Sequence, residues 1–206
     1  MELRDVDELA LVAREVAGCT ACALSRTRHQ TVPGTGAPHA DLMFICEAPG
    51  YHEDQQGKPF VGPAGQFLDE LLASIGLKRE NVFIANVVKC RPPNNRDPQP
   101  DEIAACDHFL RRQIAAIKPG VVVTLGRFSM AKFFPGETIS KIHGRARVQD
   151  GVIYFPLYHP AAALHQPALR KTIEEDFKKL PDLIASMDQA PPEEKRPETA
   201  TQLPLF

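Results

Sequence analysis

Residues 100–125 read PDEIAACDHFLRRQIAAIKPGVVVTL, and this passage decides the fold class. From Pro100 to Ile117, the residues Ile103, Cys106, Leu110, Ile114 and Ile117 recur at three- and four-residue steps, the period of one helix face. Asp101 and Glu102 fall in the first turn, where the helix dipole favours acids. Gly120–Leu125 is then too short for a helix and too continuous for a half-exposed strand, so it predicts a strand buried on both faces. Three further runs read the same way: Asp41–Cys46, Val82–Lys89 and Val152–Leu157. A second helix is predicted over Pro63–Ile75, with proline at its start and Gly76 as its C-terminal cap. A third is predicted over Arg170–Met187. Strands alternating with helices predict an α/β protein, a three-layer α/β/α sandwich around a short, mostly parallel four-stranded sheet. Ligands of such sheets bind beyond the carboxyl ends of the strands.

The chain has 206 residues, 43% of them hydrophobic, enough for one domain with a proper core. No apolar run is long enough to span a bilayer, and Met1-Glu2-Leu3-Arg4-Asp5 lacks the layout of a signal peptide. A cytoplasmic protein, expected to be a monomer and without a membrane partner, follows. The net charge of −2 is unevenly placed. Glu174–Phe206 holds eight acids and four bases, leaving 20 bases and 18 acids in the rest. Arg127, Lys132, Lys141, Arg145 and Arg147 form a local basic stripe around Glu137. Such a stripe suits phosphate tracking and equally suits a solvated face.

Four cysteines stand as Cys19-x2-Cys22 and Cys90-x15-Cys106. A CxxC pair brings two thiolates together through one tight turn, and two distant thiolates can complete a four-sulfur cage when the fold closes. Soft thiolates suit zinc or an iron–sulfur cluster, and spacing alone does not choose. Cys46, at the end of an apolar strand, reads as a buried thiol or a neighbour of the active site.

Chemistry gathers at the expected strand ends. Glu47-Ala48-Pro49-Gly50 follows the first strand and exposes a carboxylate and a backbone N–H. Gly57-Lys58-Pro59-Phe60-Val61-Gly62-Pro63-Ala64-Gly65 is a rigid loop leading into a helix, of the kind that can cradle a phosphate, without the lysine–serine pair of nucleotide hydrolases. Asn86 offers a donor and an acceptor together, which fits a pyrimidine edge. His159, at a helix start, is held neutral by the positive end of the dipole.

These segments, with Asn86-Val87-Val88-Lys89-Cys90-Arg91-Pro92-Pro93 and His159-Pro160-Ala161, resemble the motifs of family 4 uracil-DNA glycosylases over roughly Gly18 to Leu180. The resemblance implies an α/β/α fold and a structural [4Fe–4S] cluster on Cys19, Cys22, Cys90 and Cys106. It implies that Glu47 activates or positions the attacking water and stabilises positive charge on the sugar, and that His159 donates to the uracil oxygen. Phe60 would stack on the flipped base, Asn86 read its edge, Ala48 add a backbone donor, and Glu53 lie near C5 and exclude thymine. The implied activity is hydrolysis of uracil from double- and single-stranded DNA, leaving an abasic site. The rival readings are a family 5 type glycosylase of broader range, which lacks the acidic side chain in its first motif, and a non-catalytic iron–sulfur DNA-binding or redox-sensing protein. Three features depart from or divide the family pattern. Cys46 stands where the first motif usually begins with glycine, and His165 where relatives often carry arginine. The inserted basic loop of the covalently trapping sister group is missing from Pro92–Pro98.

The glycosylase domain is expected to span residues 1–188. Residues 189–206 read as a disordered proline-rich tail. It ends in Gln202-Leu203-Pro204-Leu205-Phe206, with Gln202, Leu203, Leu205 and Phe206 resembling the short motif by which bacterial repair proteins bind the sliding clamp. This implies a bacterial source.

Overall fold

The computed structural model describes residues 2–187. Its strands are β1 (Thr35–Gly36), β2 (Leu42–Cys46), β3 (Phe83–Asn86), β4 (Val121–Leu125), β5 (Arg147–Gln149) and β6 (Val152–Leu157). The helices are α1 (Glu2–Gly18), α2 (Tyr51–Gln56), α3 (Pro63–Ser74), α4 (Pro100–Ile117), α5 (Arg127–Phe133), α6 (Ile139–Ile142), α7 (Pro160–His165), α8 (Ala168–Phe177) and α9 (Leu180–Met187). The sheet order is β1-β3-β2-β4-β6-β5.

The central four strands are the four expected ones, all parallel, with β2 between β3 and β4 and with β6 beside β4. The sheet has six strands and not four, because β1 and β5 add to its two edges in antiparallel register. Both are two or three residues long and exposed, so no apolar run announces them. The second strand is also shorter than expected. It stops at Asn86, and Cys90 lies four residues beyond it in the following loop.

Alternation along β2 divides the core. Leu42, Phe44 and Cys46 face a layer built from α3, α7, α8 and α9, including Phe67, Leu71, Ile173 and Phe177. Met43 and Ile45 face the opposite layer, where Val12 and Val16 of α1 pack with Phe109 and Leu110 of α4. Phe44 and Phe177 stack with ring centroids 5.8 Å apart. Cys46 is therefore a core side chain.

The expected helix over Arg170–Met187 is two helices. Pro181 lacks the N–H that would bond back to Phe177, so α8 ends there and α9 begins with the proline in its first turn. The expected domain limit at 188, the tail 189–206 and its terminal motif lie outside the described residues.

Candidate functional site at the carboxyl edge of the sheet

Because β2, β3, β4 and β6 run parallel, their carboxyl ends share one edge. Cys46 pairs with Asn86, and Leu125 with Leu157. Glu47 thus follows the end of β2 beside Asn86, the last residue of β3, while His159 stands two residues past the end of β6. The ladder continues a step further, with Val87 N–H donating to the Cys46 carbonyl at 2.8 Å and Gly126 N–H to that of Leu157 at 2.9 Å. Expected site residues far apart in sequence therefore share this edge, Glu47 beside Asn86 and His159 two strands away from Glu47.

Glu47 is half-buried, and burial pushes its carboxyl up to about 7, with Asp97 raising it further and Arg127 opposing. Asp97 and Arg127 are themselves paired at 2.5 Å. Ala48, also half-buried, carries the chain into the Pro49-Gly50 turn that opens α2. His159 caps α7, and its Nδ1 accepts the Ala161 N–H at 3.1 Å. An accepting Nδ1 places the proton of the neutral ring on Nε2, leaving that atom as a donor. Burial lowers the imidazole to about 4, against an opposing pull from Glu53, so the ring is neutral at working pH.

Asn86 is 2% exposed, and its amide nitrogen has no hydrogen-bond partner among the described residues. A buried, unsatisfied donor costs about 1–3 kcal/mol, which a fold tolerates where a ligand will complete the bond. Its backbone carbonyl accepts from the buried Lys89 ammonium at 2.9 Å, which also donates to Gln113 Oε1 at 2.6 Å. Gln113 in turn donates to the Pro33 carbonyl at 2.7 Å.

Phe60 is buried and its ring faces that of His159, with centroids 5.3 Å apart and planes 25° from parallel. Its backbone is left-handed, with φ +54°, a conformation that costs a non-glycine residue about 1–2 kcal/mol. Gly65 makes this packing feasible, since a Cβ there would sit 1.9 Å from the Phe60 carbonyl oxygen. Glu53 joins the two loops of the site: its carboxylate accepts from Gly50 N–H at 3.1 Å, Val61 N–H at 2.9 Å and Gly62 N–H at 3.1 Å. The amides that suggested a phosphate cradle are thus turned onto an internal carboxylate.

The four cysteines also converge. Cys19, Cys22, Cys90 and Cys106 line one pocket, with Val16, Lys89 and Phe109 around them. Arg28 donates to Cys90 Sγ at 3.1 Å and Lys89 N–H to Cys106 Sγ at 3.3 Å. Among the described residues, no group of three or more His, Cys, Asp or Glu side chains is arranged to hold a metal ion. Elsewhere, three residues of the basic stripe are spent in ion pairs, Arg127 with Asp97, Lys132 with Asp107 and Arg147 with Glu137. His143 is neither free nor fully exposed, because Asp176 holds its Nδ1 at 2.7 Å and Tyr158 packs on its ring.

Reading residues one at a time missed Lys89, Gln113 and the loop-bridging role of Glu53. A lysine inside the apolar run 82–89 was the available signal for the first. The bonds of Gln113 and Glu53 cross between elements and leave no local pattern.

The carboxyl edge of the sheet thus carries a buried amide, a carboxylate and a neutral imidazole donor faced by an aromatic ring. The model of the Uracil DNA glycosylase superfamily matches residues 33–180. The chain belongs to that superfamily. It is 50% identical over 188 residues to the Type-4 uracil-DNA glycosylase of Sulfurisphaera tokodaii, covering 86% of each chain. It is 46% identical to that of Archaeoglobus fulgidus, covering 86% of this chain and 94% of the relative. A Type-5 uracil-DNA glycosylase of Pyrobaculum aerophilum is 31% identical over 148 residues, covering 63% of this chain and 65% of the relative.

The raised Glu47 pKa predicts a stability effect with a definite sign. Its folded value of about 7 lies above the ordinary carboxyl value of 4.5, so ionising the carboxyl costs folding free energy. That cost is absent below pH 4.5, grows through the window and is complete above pH 7. Glu47→Gln should therefore stabilise the protein at pH 8 by about 1–2 kcal/mol, a figure discounted for solvent screening, and far less at pH 5. Thermal melts of both proteins at the two pH values measure it; an equal difference at both would contradict it.

Proposed function

We propose that this chain is a DNA-repair hydrolase that flips uracil out of double- or single-stranded DNA and cleaves its N-glycosidic bond, releasing uracil and leaving an abasic site. The single observation that carries the reading is the buried Asn86 amide, unpartnered among the described residues, at the same sheet edge as Glu47 and as His159, whose ring Phe60 faces. The Type-4 relatives support it, and neither a broader family 5 type range nor a non-catalytic role is favoured.

Breaking the bond leaves positive charge on the sugar and negative charge on the base, so a carboxylate is needed on one side and donors on the other. Glu47, once ionised, stabilises the sugar cation and orients the water that attacks it. His159 Nε2–H donates to the uracil oxygen as charge collects there, and the Ala48 N–H adds a second donor. Asn86 reads the base edge through the donor it leaves unpaired, and Phe60 covers the base face. Glu53, anchored between the two loops, walls the pocket near uracil C5 and excludes thymine. Leu164, an apolar side chain 49% exposed on the helix capped by His159, would fill the gap left by the flipped base. Flipping costs a few kcal/mol, least for a mispaired base, so U·G is cut at least as readily as U·A.

The pocket lined by Cys19, Cys22, Cys90 and Cys106 fits a [4Fe–4S] cluster. Four thiol donors meeting in one pocket match the soft-sulfur ligation of such a cluster, and the Cys19-x2-Cys22 and Cys90-x15-Cys106 pattern that resembles family 4 favours it over zinc. The cluster would supply a covalent tie between α1 and the β3–α4 segment. The protein acts as a monomer in the cytoplasm; among the described residues no helix is long and apolar enough to cross a membrane. Gln202, Leu203, Leu205 and Phe206 engage a bacterial sliding clamp, which raises the local enzyme concentration at newly replicated DNA.

A gel assay on a uracil-containing oligonucleotide, developed with alkali, tests the activity. Cleavage by the wild type should fall by roughly two decades or more in Glu47→Ala, with uracil-DNA binding retained, as for a group that acts in the transition state. Wild-type rates from Glu47→Ala would overturn its assignment. The purified protein should be yellow-brown, losing colour and stability with alanine at Cys19, Cys22, Cys90 or Cys106 but not at Cys46. A colourless, zinc-loaded protein prepared without oxygen would contradict the cluster. Deleting residues 202–206 should abolish clamp binding and leave cleavage of short free DNA unchanged; clamp binding that survives the deletion would remove that role from the tail.

A further inference from the structure

Arg79 lies in a short helical turn (Arg79–Asn81) that enters β3 from the end opposite Asn86. Its guanidinium donates to the carbonyls of Pro59 at 3.0 Å, of Phe60, and of Gly65 at 3.3 Å, while Nε holds Asp69 of α3 at 2.5 Å. Three carbonyls pointing at one spot repel one another unless a cation sits among them. Only a planar fork of N–H donors can serve three acceptors and a carboxylate together. The crowding follows from the left-handed turn at Phe60 and the close approach of Gly65 to its carbonyl.

The other edge of the same loop is held with opposite charge. Glu53 accepts the N–H groups of Val61 and Gly62, the residues next after Phe60. Phe60 is thus gripped between a cation on its carbonyl and a carboxylate on the following amides. This is the backbone from which its ring faces His159.

We infer that Arg79 is a positioning residue for uracil capture, acting through Phe60 by fixing the left-handed backbone that aims the ring at the base. It rests on the reading of Phe60 as the stacking residue. The role is one of geometry and not of charge at the reacting atoms, because the bonds of Arg79 go to the Phe60 loop and α3, away from Glu47, Asn86 and His159.

A double-mutant cycle tests this with single-turnover excision from a uracil-containing oligonucleotide, using wild type, Arg79→Ala, Phe60→Ala and the double variant. Arg79→Ala should slow excision about tenfold when Phe60 is present and less than about twofold when Phe60 is already alanine, since two residues acting through one contact are not additive. The same fold-loss in both backgrounds, or no loss in either, would overturn the proposal. A Phe60→Ala protein as fast as wild type would instead remove the stacking role of Phe60, a separate failure. If Arg79→Ala does not fold, the cycle run with Arg79→Gln, which keeps part of the donor fork, separates the same two outcomes.

Discussion

Parallel pairing of β2 with both β3 and β4 is the constraint on which the rest depends. A strand flanked by parallel neighbours must be buried on both faces, and β2 is buried at every position. Its alternate residues anchor two helical layers, one holding α3, α7 and α8 and the other α1 and α4. The same pairing sends the ends of four strands to one edge, which Glu47, Asn86 and His159 share from three distant segments. The cysteine pocket lies within the α1–α4 layer. Site and pocket are bridged by Lys89, which lines the pocket and bonds the carbonyl of Asn86.

The site stores unfavourable states that a bound base would relieve. Glu47 is held up to about 7 and His159 down to about 4, so each is pushed toward its neutral form by the same desolvation. Asn86 keeps a buried donor unpaired among the described residues, and Phe60 keeps a left-handed backbone. Each is a local cost that the surrounding structure must overcome, and each coincides with a group aimed at the base or sugar. The positive charge that develops on the sugar favours the ionised Glu47. The charge that collects on the base strengthens the bond from the His159 Nε2–H. Both groups therefore gain most at the transition state, the only gain that accelerates chemistry.

The four central strands were legible because burial on both faces leaves continuous apolar runs such as Val121-Val122-Val123. The edge strands were not, since Thr35–Gly36 and Arg147–Gln149 are exposed and carry no period. The break between α8 and α9 was written in the chain as Pro181, but the apolar spacing on either side concealed it. At the site, Glu47, Asn86 and His159 were found because strand ends are where parallel sheets place ligands. Arg79, Gln113 and the bridging bonds of Glu53 were not, because all but one of their partners lie 8 to 80 residues away in sequence and most are backbone carbonyls or amides. Tertiary hydrogen bonds to backbone carry no residue-type signature on the accepting side.

The pH dependence of single-turnover uracil excision tests the central claim most directly, that Glu47 acts as an anion in a desolvated site beside a neutral His159. The rate should rise with pH through a midpoint near 7 and show no falling limb between about pH 5 and 8, because His159 remains neutral above about 4. The rising limb should vanish in Glu47→Gln. A wild-type rate that is flat across this range, or that falls as pH increases through 7, would contradict the claim.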